Sequence, residues 1–233
     1  MIAVLKKELR SYLLSPIGYI FVGLFLLMFS LFFYITIFQA MALNFEYLFY
    51  NGATILTFVV PVLTMRMFSE ERKTGTEQLL LTSPRSITSI VLGKFLAAGI
   101  IILITELLTL GYFIILSFFG NPSILVALST LLGFFLLSLA YISFGMFASS
   151  ITENQIVACV LTIGAFIGMW FLPDVFASFE KVYEVLCMFS LIRMFEQFPA
   201  GIISISEIVV FISFSILFIL LTITMLQRRK SVK

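Results

Sequence analysis

Long apolar runs separated by short polar interruptions make up most of the chain. A helix needs about 20 apolar residues to cross the hydrocarbon core of a bilayer, and six runs meet or approach that length. They are Ile17–Phe38, about Leu48–Met65, about Phe95–Phe119, Ile124–Ala148, Ile156–Leu172 and Ile208–Leu226. The second contains Pro61, which a membrane helix tolerates when neighbours satisfy the freed carbonyl. Gly120-Asn121-Pro122-Ser123 forms the turn between the third and fourth, and Gln227-Arg228-Arg229-Lys230 stops the sixth. The pattern predicts an all-α membrane protein of six transmembrane helices, forming one transmembrane domain over residues 1–233.

Three stretches lie outside this pattern. Residues 1–15 place Ile2, Leu5, Leu9, Tyr12 and Leu13 on one helical arc and Lys6, Lys7 and Arg10 on another. Such an amphipathic helix lies in the membrane interface with its cations toward anionic headgroups. Ser15-Pro16 ends it, because the residue before proline is driven out of the helical region. The second stretch, Arg66–Lys94, holds the densest charge in the chain at Ser69–Glu77 and then three leucines, Leu79, Leu80 and Leu81. Thr74 and Glu77 have the spacing of a capping box, which predicts a short helix over roughly Gly75–Leu81, closed by Pro84. A solvated connection would account for the charges alone; an apolar cluster outside the membrane calls for a partner. The third stretch, Asp174–Ser206, repeats Phe176, Phe179, Val182, Val185, Leu186, Phe189, Ile192 and Phe195 at helical spacing. Asp174, Glu180, Lys181, Glu184, Arg193 and Glu196 interrupt any spanning reading, so one or two interfacial helices are predicted, broken at Pro199-Ala200-Gly201.

Composition strengthens the membrane assignment. Apolar residues make up 61% of the 233, 28 are Phe, and the mean hydropathy is +1.18. A water-soluble fold of this size leaves too much surface exposed to hide that content. The run after Lys6, Lys7 and Arg10 is too long for a cleavable signal and lacks a small-residue cleavage site, so it reads as a retained span.

The net charge of +2 gives no reason to expect nucleic acid as a partner. Its distribution is more informative. The 14 Lys and Arg residues divide unevenly across the predicted topology. Lys6, Lys7, Arg10, Arg66, Arg72, Lys73, Arg85, Lys94, Arg228, Arg229, Lys230 and Lys233 fall on one side, and Lys181 and Arg193 on the other. The bias of cations toward the cytoplasm then places both ends of the chain inside.

Catalytic signatures are missing. There is no histidine, and the two cysteines, Cys159 and Cys187, have no disulfide or zinc spacing. Gly93-Lys94 lacks the glycine-rich loop that cradles nucleotide phosphates, and no G-x-S-x-G elbow occurs. Glu106 is the one acid deep within a predicted span. Such residues often mark a substrate or proton path, while a carboxyl bonded to Thr105, Thr109 or another helix would serve only to hold the bundle together.

The N-terminal helix ending in Leu13-Leu14-Ser15-Pro16, the six spans and the segment Met65–Pro84 (MRMFSEERKTGTEQLLLTSP) together resemble the ABC-2-type permeases. The closest resemblance is to the small bacterial permeases of the gliding-motility and copper-enzyme-maturation type. It covers the whole chain in topology, and the motif itself is the segment of about 20 residues. The resemblance implies that residues 1–15 are a connecting helix. It implies that residues 69–84 carry a coupling helix docking on a separate cytoplasmic ATPase, through Glu70, Glu71, Arg72, Lys73, Thr74, Gly75, Thr76, Glu77, Gln78, Leu79, Leu80 and Leu81. Ser149–Gln155 would be a second, smaller contact, and 174–206 a pair of re-entrant helices.

A second permease copy or a paralogue would complete the membrane part, with accessory subunits possible and membrane lipid around it, in the bacterial inner membrane. No cofactor is expected on this chain; ATP and Mg would belong to the partner. Two other classes fit the sequence less well. An ATP-independent carrier or channel would show inverted repeats and broken helices, which are not evident. An intramembrane enzyme would need companions for Glu106, and none accompany it.

Overall fold

The computed structural model describes residues 1–36, 45–78, 86–119 and 123–232. Most of the predicted first outer connection, Leu79–Leu81 with Pro84 and Arg85, the Gly120-Asn121-Pro122 part of the turn, and Lys233 lie outside the described residues. Among the described residues all regular structure is helical and no strand occurs.

The chain starts with α1 (Ile2–Leu14) and turns into α2 (Pro16–Tyr34). Ser15 is extended, with φ −91° and ψ 149°, and Pro16 opens the new helix, where its missing N–H costs nothing. The bend is 63°. It is tight enough that a Cβ on Gly18 would lie 2.1 Å from the Tyr12 carbonyl oxygen, so only glycine fits there. Of the predicted apolar arc on α1, Tyr12 is buried and Leu5 and Leu9 are half-buried, while Ile2 and Leu13 point outward. The inward side packs on α5 (Ile87–Phe119). A Cβ on Gly93 would fall 2.9 Å from Val4 Cγ1.

α3 (Phe45–Thr64) contains Pro61 and leads through a turn at residues 65–68 into the short α4 (Ser69–Lys73). α5 has 33 residues, about 50 Å at 1.5 Å per residue, well beyond the roughly 30 Å hydrocarbon core. The predicted span opened near Phe95 because a lysine precedes it. The helix instead begins at Ile87 and carries Lys94 as a buried residue.

α6 (Ile124–Ile151) is the centre of the bundle and packs on α3, α5, α7 (Gln155–Val175) and α10 (Ile205–Val232). Small residues permit this. A Cβ on Gly145 would sit 2.2 Å from Thr64 Oγ1, and one on Gly133 would sit 2.3 Å from the Phe198 ring. Between lipid-soluble helices, close approach of backbones replaces the hydrophobic drive of soluble cores. Phenylalanine fills the remainder. Phe49 meets Phe29 at 5.2 Å and Phe134 at 5.1 Å, both edge-on, an arrangement favoured by the ring quadrupoles.

The predicted interfacial stretch forms two helices, α8 (Glu180–Phe189) and α9 (Leu191–Phe195), divided at Ser190. They part company in their surroundings. In α9, Leu191, Ile192 and Phe195 are buried against the bundle, whereas Val182, Val185 and Phe189 of α8 are exposed. Arg193 ties the two together and to the end of α7, through Asp174, the Tyr183 hydroxyl at 2.8 Å and the Tyr183 ring face.

Among the described residues five helices are long and apolar enough to cross a membrane, and six if the bent pair of α1 and α2 counts as one span. The six predicted spans match this upper count in number, although that count joins α1, expected to lie in the interface, to α2 as one bent span. α1, α4, the 152–154 connection and the last turns of α10 gather at one end of the bundle, called the basic end below.

Candidate functional site

The charged segment after α3 is held by three separate parts of the bundle. The first is Ser149, at the end of α6. Its hydroxyl accepts from the backbone N–H groups of Phe68 at 3.0 Å and Ser69 at 3.1 Å, and donates to the Met65 carbonyl at 2.9 Å. One donor and two lone pairs are thereby fully used. The first N–H groups of a helix have no partner within it, so a side chain from another helix caps α4. Ser69 closes the same turn by donating to the Met65 carbonyl.

The second hold is ionic. Lys94 of α5 is 2% exposed, and its ammonium lies 2.8 Å from Glu71 Oε1 of α4 and 3.2 Å from Glu8 Oε1 of α1. The Phe68 ring lies 5.3 Å from the same ammonium. Burial holds the Glu71 carboxyl above its ordinary range, and the charge and hydrogen bond of Lys94 offset that shift only in part. A buried charge is tolerated only when paired, and here one cation serves carboxylates from two other helices.

The third hold comes from arginines. Arg72 donates to the Ile151 carbonyl at 2.7 Å and pairs with Glu153 at 2.9 Å. Arg229, in the last turns of α10, donates to the Ser150 carbonyl at 2.6 Å and to Glu77 at 3.1 Å. The C-terminal carbonyls of α6 thus receive two guanidinium groups, where a helix end favours positive charge. Arg66 and Glu70 pair locally at 2.7 Å.

Thr74 does not act as the predicted N-cap. Its hydroxyl donates back to the Glu70 carbonyl at 2.9 Å, closing α4, and Gly75 follows with φ +74°. α4 is a separate short helix that precedes the Thr74–Glu77 spacing, capped from elsewhere by Ser149, and residues 79–81 of the expected Gly75–Leu81 helix lie outside the described residues. Residues 77 and 78 are again helical, and Lys73, Thr74, Gly75, Thr76 and Gln78 are exposed. Two clefts flank the segment. One, of about 600 Å³, is lined by Arg72, Glu77, Glu153 and Arg229 among others; the second, of about 500 Å³, lies against α1 and Lys94.

The predicted residues Glu70, Glu71, Arg72, Lys73, Thr74, Gly75, Thr76, Glu77 and Gln78 therefore share one surface at the basic end, and Leu79, Leu80 and Leu81 lie outside the described residues. Glu106 is elsewhere, deep in α5. The sequence did not single out Lys94, Glu8 or Arg229. For Lys94 a signal existed: the apolar run Ile90-Val91-Leu92 precedes it and no proline falls between Pro84 and it, so the helix had reason to begin before it.

Comparison with known families decides the assignment. The family described as ABC-2 family transporter protein matches residues 2–227. The chain belongs to this family. No curated protein matches it. As an ABC-2 family protein with several apolar helices of spanning length, it is a multi-pass membrane protein. In this ABC-2 protein the most highly charged segment is the one that ties α4 to α1, α5, α6 and α10.

Proposed function

We propose that the chain is the permease subunit of an ATP-driven transporter, and that a separate ATPase docks at its basic end on residues 69–84. The single observation that carries this reading is the three-way attachment of that segment. Glu71 leads through Lys94 to α5 and α1; Phe68, Ser69 and Arg72 lead to α6; and Glu77 leads through Arg229 to α10. A displacement imposed on such a segment reaches α1, α5, α6 and α10 at once, since packed interfaces switch between arrangements rather than deform gradually. The mixed charges of both flanking clefts suit a protein surface, where complementary charges fix register.

On this reading the basic end faces the cytoplasm, in line with the bias of cations toward that side, and the membrane is the bacterial inner membrane. ATP and Mg act on the partner, and this chain is not an enzyme. A second permease completes the membrane part. The helices α8 and α9 serve as the outer re-entrant pair, and the Met65–Pro84 sequence supports placement with the gliding-motility and copper-enzyme-maturation type. The work done is export or mechanical work across the membrane.

The test is co-purification of the tagged chain with the ATP-binding protein of its own operon. Leu79→Asp with Leu80→Asp is expected to abolish co-purification while leaving the chain in the membrane. Undiminished co-purification and ATP-dependent activity would overturn the docking assignment.

A further inference from the structure

The cleft beside Arg72 and Arg229 carries more positive charge than the ion pairs in it consume. Three arginines line it, Arg72, Arg228 and Arg229, against two acids, Glu77 and Glu153, so one positive charge is left over. Arg72 is held by the Ile151 carbonyl and Glu153, and Arg229 by the Ser150 carbonyl and Glu77. These bonds take two of the five N–H donors of each guanidinium, so both groups are fixed in place with donors to spare. The cleft holds about 600 Å³, within the range of roughly 300–1,000 Å³ that ligand pockets occupy.

Its place along the chain says what kind of anion reaches it. Arg228 and Arg229 follow directly on the apolar run of α10, and Met225, in the closing turn of that run, also lines the cleft. The cleft therefore lies where acyl chains give way to headgroups, and basic residues at that depth attract anionic lipid. A second feature leads to the same spot. Over the last three turns of α6, from Tyr141 to Ile151, every residue is buried except Phe144, Phe147 and Ile151. They fall at helical spacing on one face. The Phe144 ring lies 5.4 Å from that of Phe166 on α7 and 4.8 Å from that of Phe218 on α10, so this apolar stripe runs between those two helices. It ends at Ile151, which is 42% exposed and whose carbonyl holds Arg72 in the cleft.

We propose that the cleft binds the headgroup of an anionic phospholipid, with an acyl chain lying along Phe144, Phe147 and Ile151. The arginine forks grip the phosphate, which guanidinium groups match with paired hydrogen bonds. The single surplus charge equals that of one phosphodiester, so a phosphatidylglycerol headgroup fits. A zwitterionic lipid brings an ammonium that the surplus repels. A soluble phosphate offers the same anion and leaves the stripe uncovered. The bound lipid ties α4 and α10 more firmly to the end of α6. Lys73, Thr74 and Thr76, which do not line this cleft, stay open to a protein, and the site stands whether or not a motor docks beside it.

The test is equilibrium binding of labelled dioctanoyl phosphatidylglycerol to the full chain in a neutral detergent, with no ATPase present. Saturable binding is expected, with dioctanoyl phosphatidylcholine and glycerol 3-phosphate weaker by about tenfold or more. Arg228→Gln with Arg229→Gln is expected to weaken phosphatidylglycerol binding by about tenfold or more. Arg10→Gln, which removes an exposed cation of α1, is expected to leave it unchanged. Equal binding of the two lipids, undiminished affinity in the arginine pair variant, or an equal loss in the Arg10 variant would overturn the proposal. Glycerol 3-phosphate or a hexaglutamate peptide binding as tightly as the lipid would assign the cleft to a soluble phosphate or an acidic protein segment, and overturn it as well. Should the arginine pair variant fail to fold, Ile151→Ser decides in its place, since it leaves every charge intact. It is expected to weaken binding about fivefold, and undiminished affinity there contradicts the proposal.

Discussion

The ammonium of Lys94 and the carboxylate of Glu71 stand 2.8 Å apart, joining α5 to the first turn after the α3 span, with Glu8 of α1 on the same ammonium at 3.2 Å. Breaking a buried pair by removing one partner is far more damaging than replacing the whole pair, because a charge is left without compensation. Lys94→Met is therefore expected to lower stability by about 3–5 kcal/mol, read as thermal unfolding of the purified chain. Adding Glu71→Gln and Glu8→Gln is expected to restore much of the loss. A single variant as stable as the unaltered chain would show that the pair holds nothing.

Ser149 caps α4 from another helix, so Ser149→Ala leaves the N–H groups of Phe68 and Ser69 without their acceptor. Two orphaned buried donors cost about 1–3 kcal/mol each at most. The effect is expected first as local opening: trypsin cleavage after Arg72 or Lys73 should accelerate while the melting temperature of the bundle changes little.

The meeting of α3 and α6 depends on the absence of a side chain at Gly145. Gly145→Ala places a methyl 2.2 Å from Thr64 Oγ1, and overpacking of this kind costs about 1–3 kcal/mol. Gly164→Ala on α7 meets nothing within 4 Å and serves as the control. Thermal unfolding should separate the two; equal effects would contradict the close approach.

The topology is tested by single cysteines in a chain lacking Cys159 and Cys187. Lys73→Cys is expected to react with a membrane-impermeant thiol reagent only when the cytoplasmic face is opened, and Lys181→Cys from the outside in intact cells. Labelling of both from one side would invalidate the assignment of the basic end.

The helical spans were legible because lipid imposes a length and a solvent on every crossing segment, and runs such as Ile124–Ala148 carry that signature directly. The break at Ser15-Pro16 was legible for a local reason as well. What escaped the sequence was long-range. Lys94 resembles a flanking cation until Glu8 and Glu71, from distant parts of the chain, are placed around it. Thr74 has capping-box spacing, yet the cap of the neighbouring helix comes from Ser149, about 80 positions away. In the outer segment, period alone made Val185 and Ile192 equivalent. The structure buries Ile192 and exposes Val185, because α9 packs on the central α6 whereas α8 lies against α7. The charged segment was visible as a motif, but its attachments to α1, α5, α6 and α10 were not.

Docking of a motor protein on residues 69–84 has a direct test. The most direct measurement places a photo-crosslinking amino acid at Leu80 and, separately, at Met188 of α8, with captured proteins identified by mass spectrometry from intact cells. Crosslinks from position 80 to a chain bearing a nucleotide-binding P-loop, absent from position 188, are expected. Position 80 yielding only lipid adducts, or the same proteins as position 188, would contradict the account.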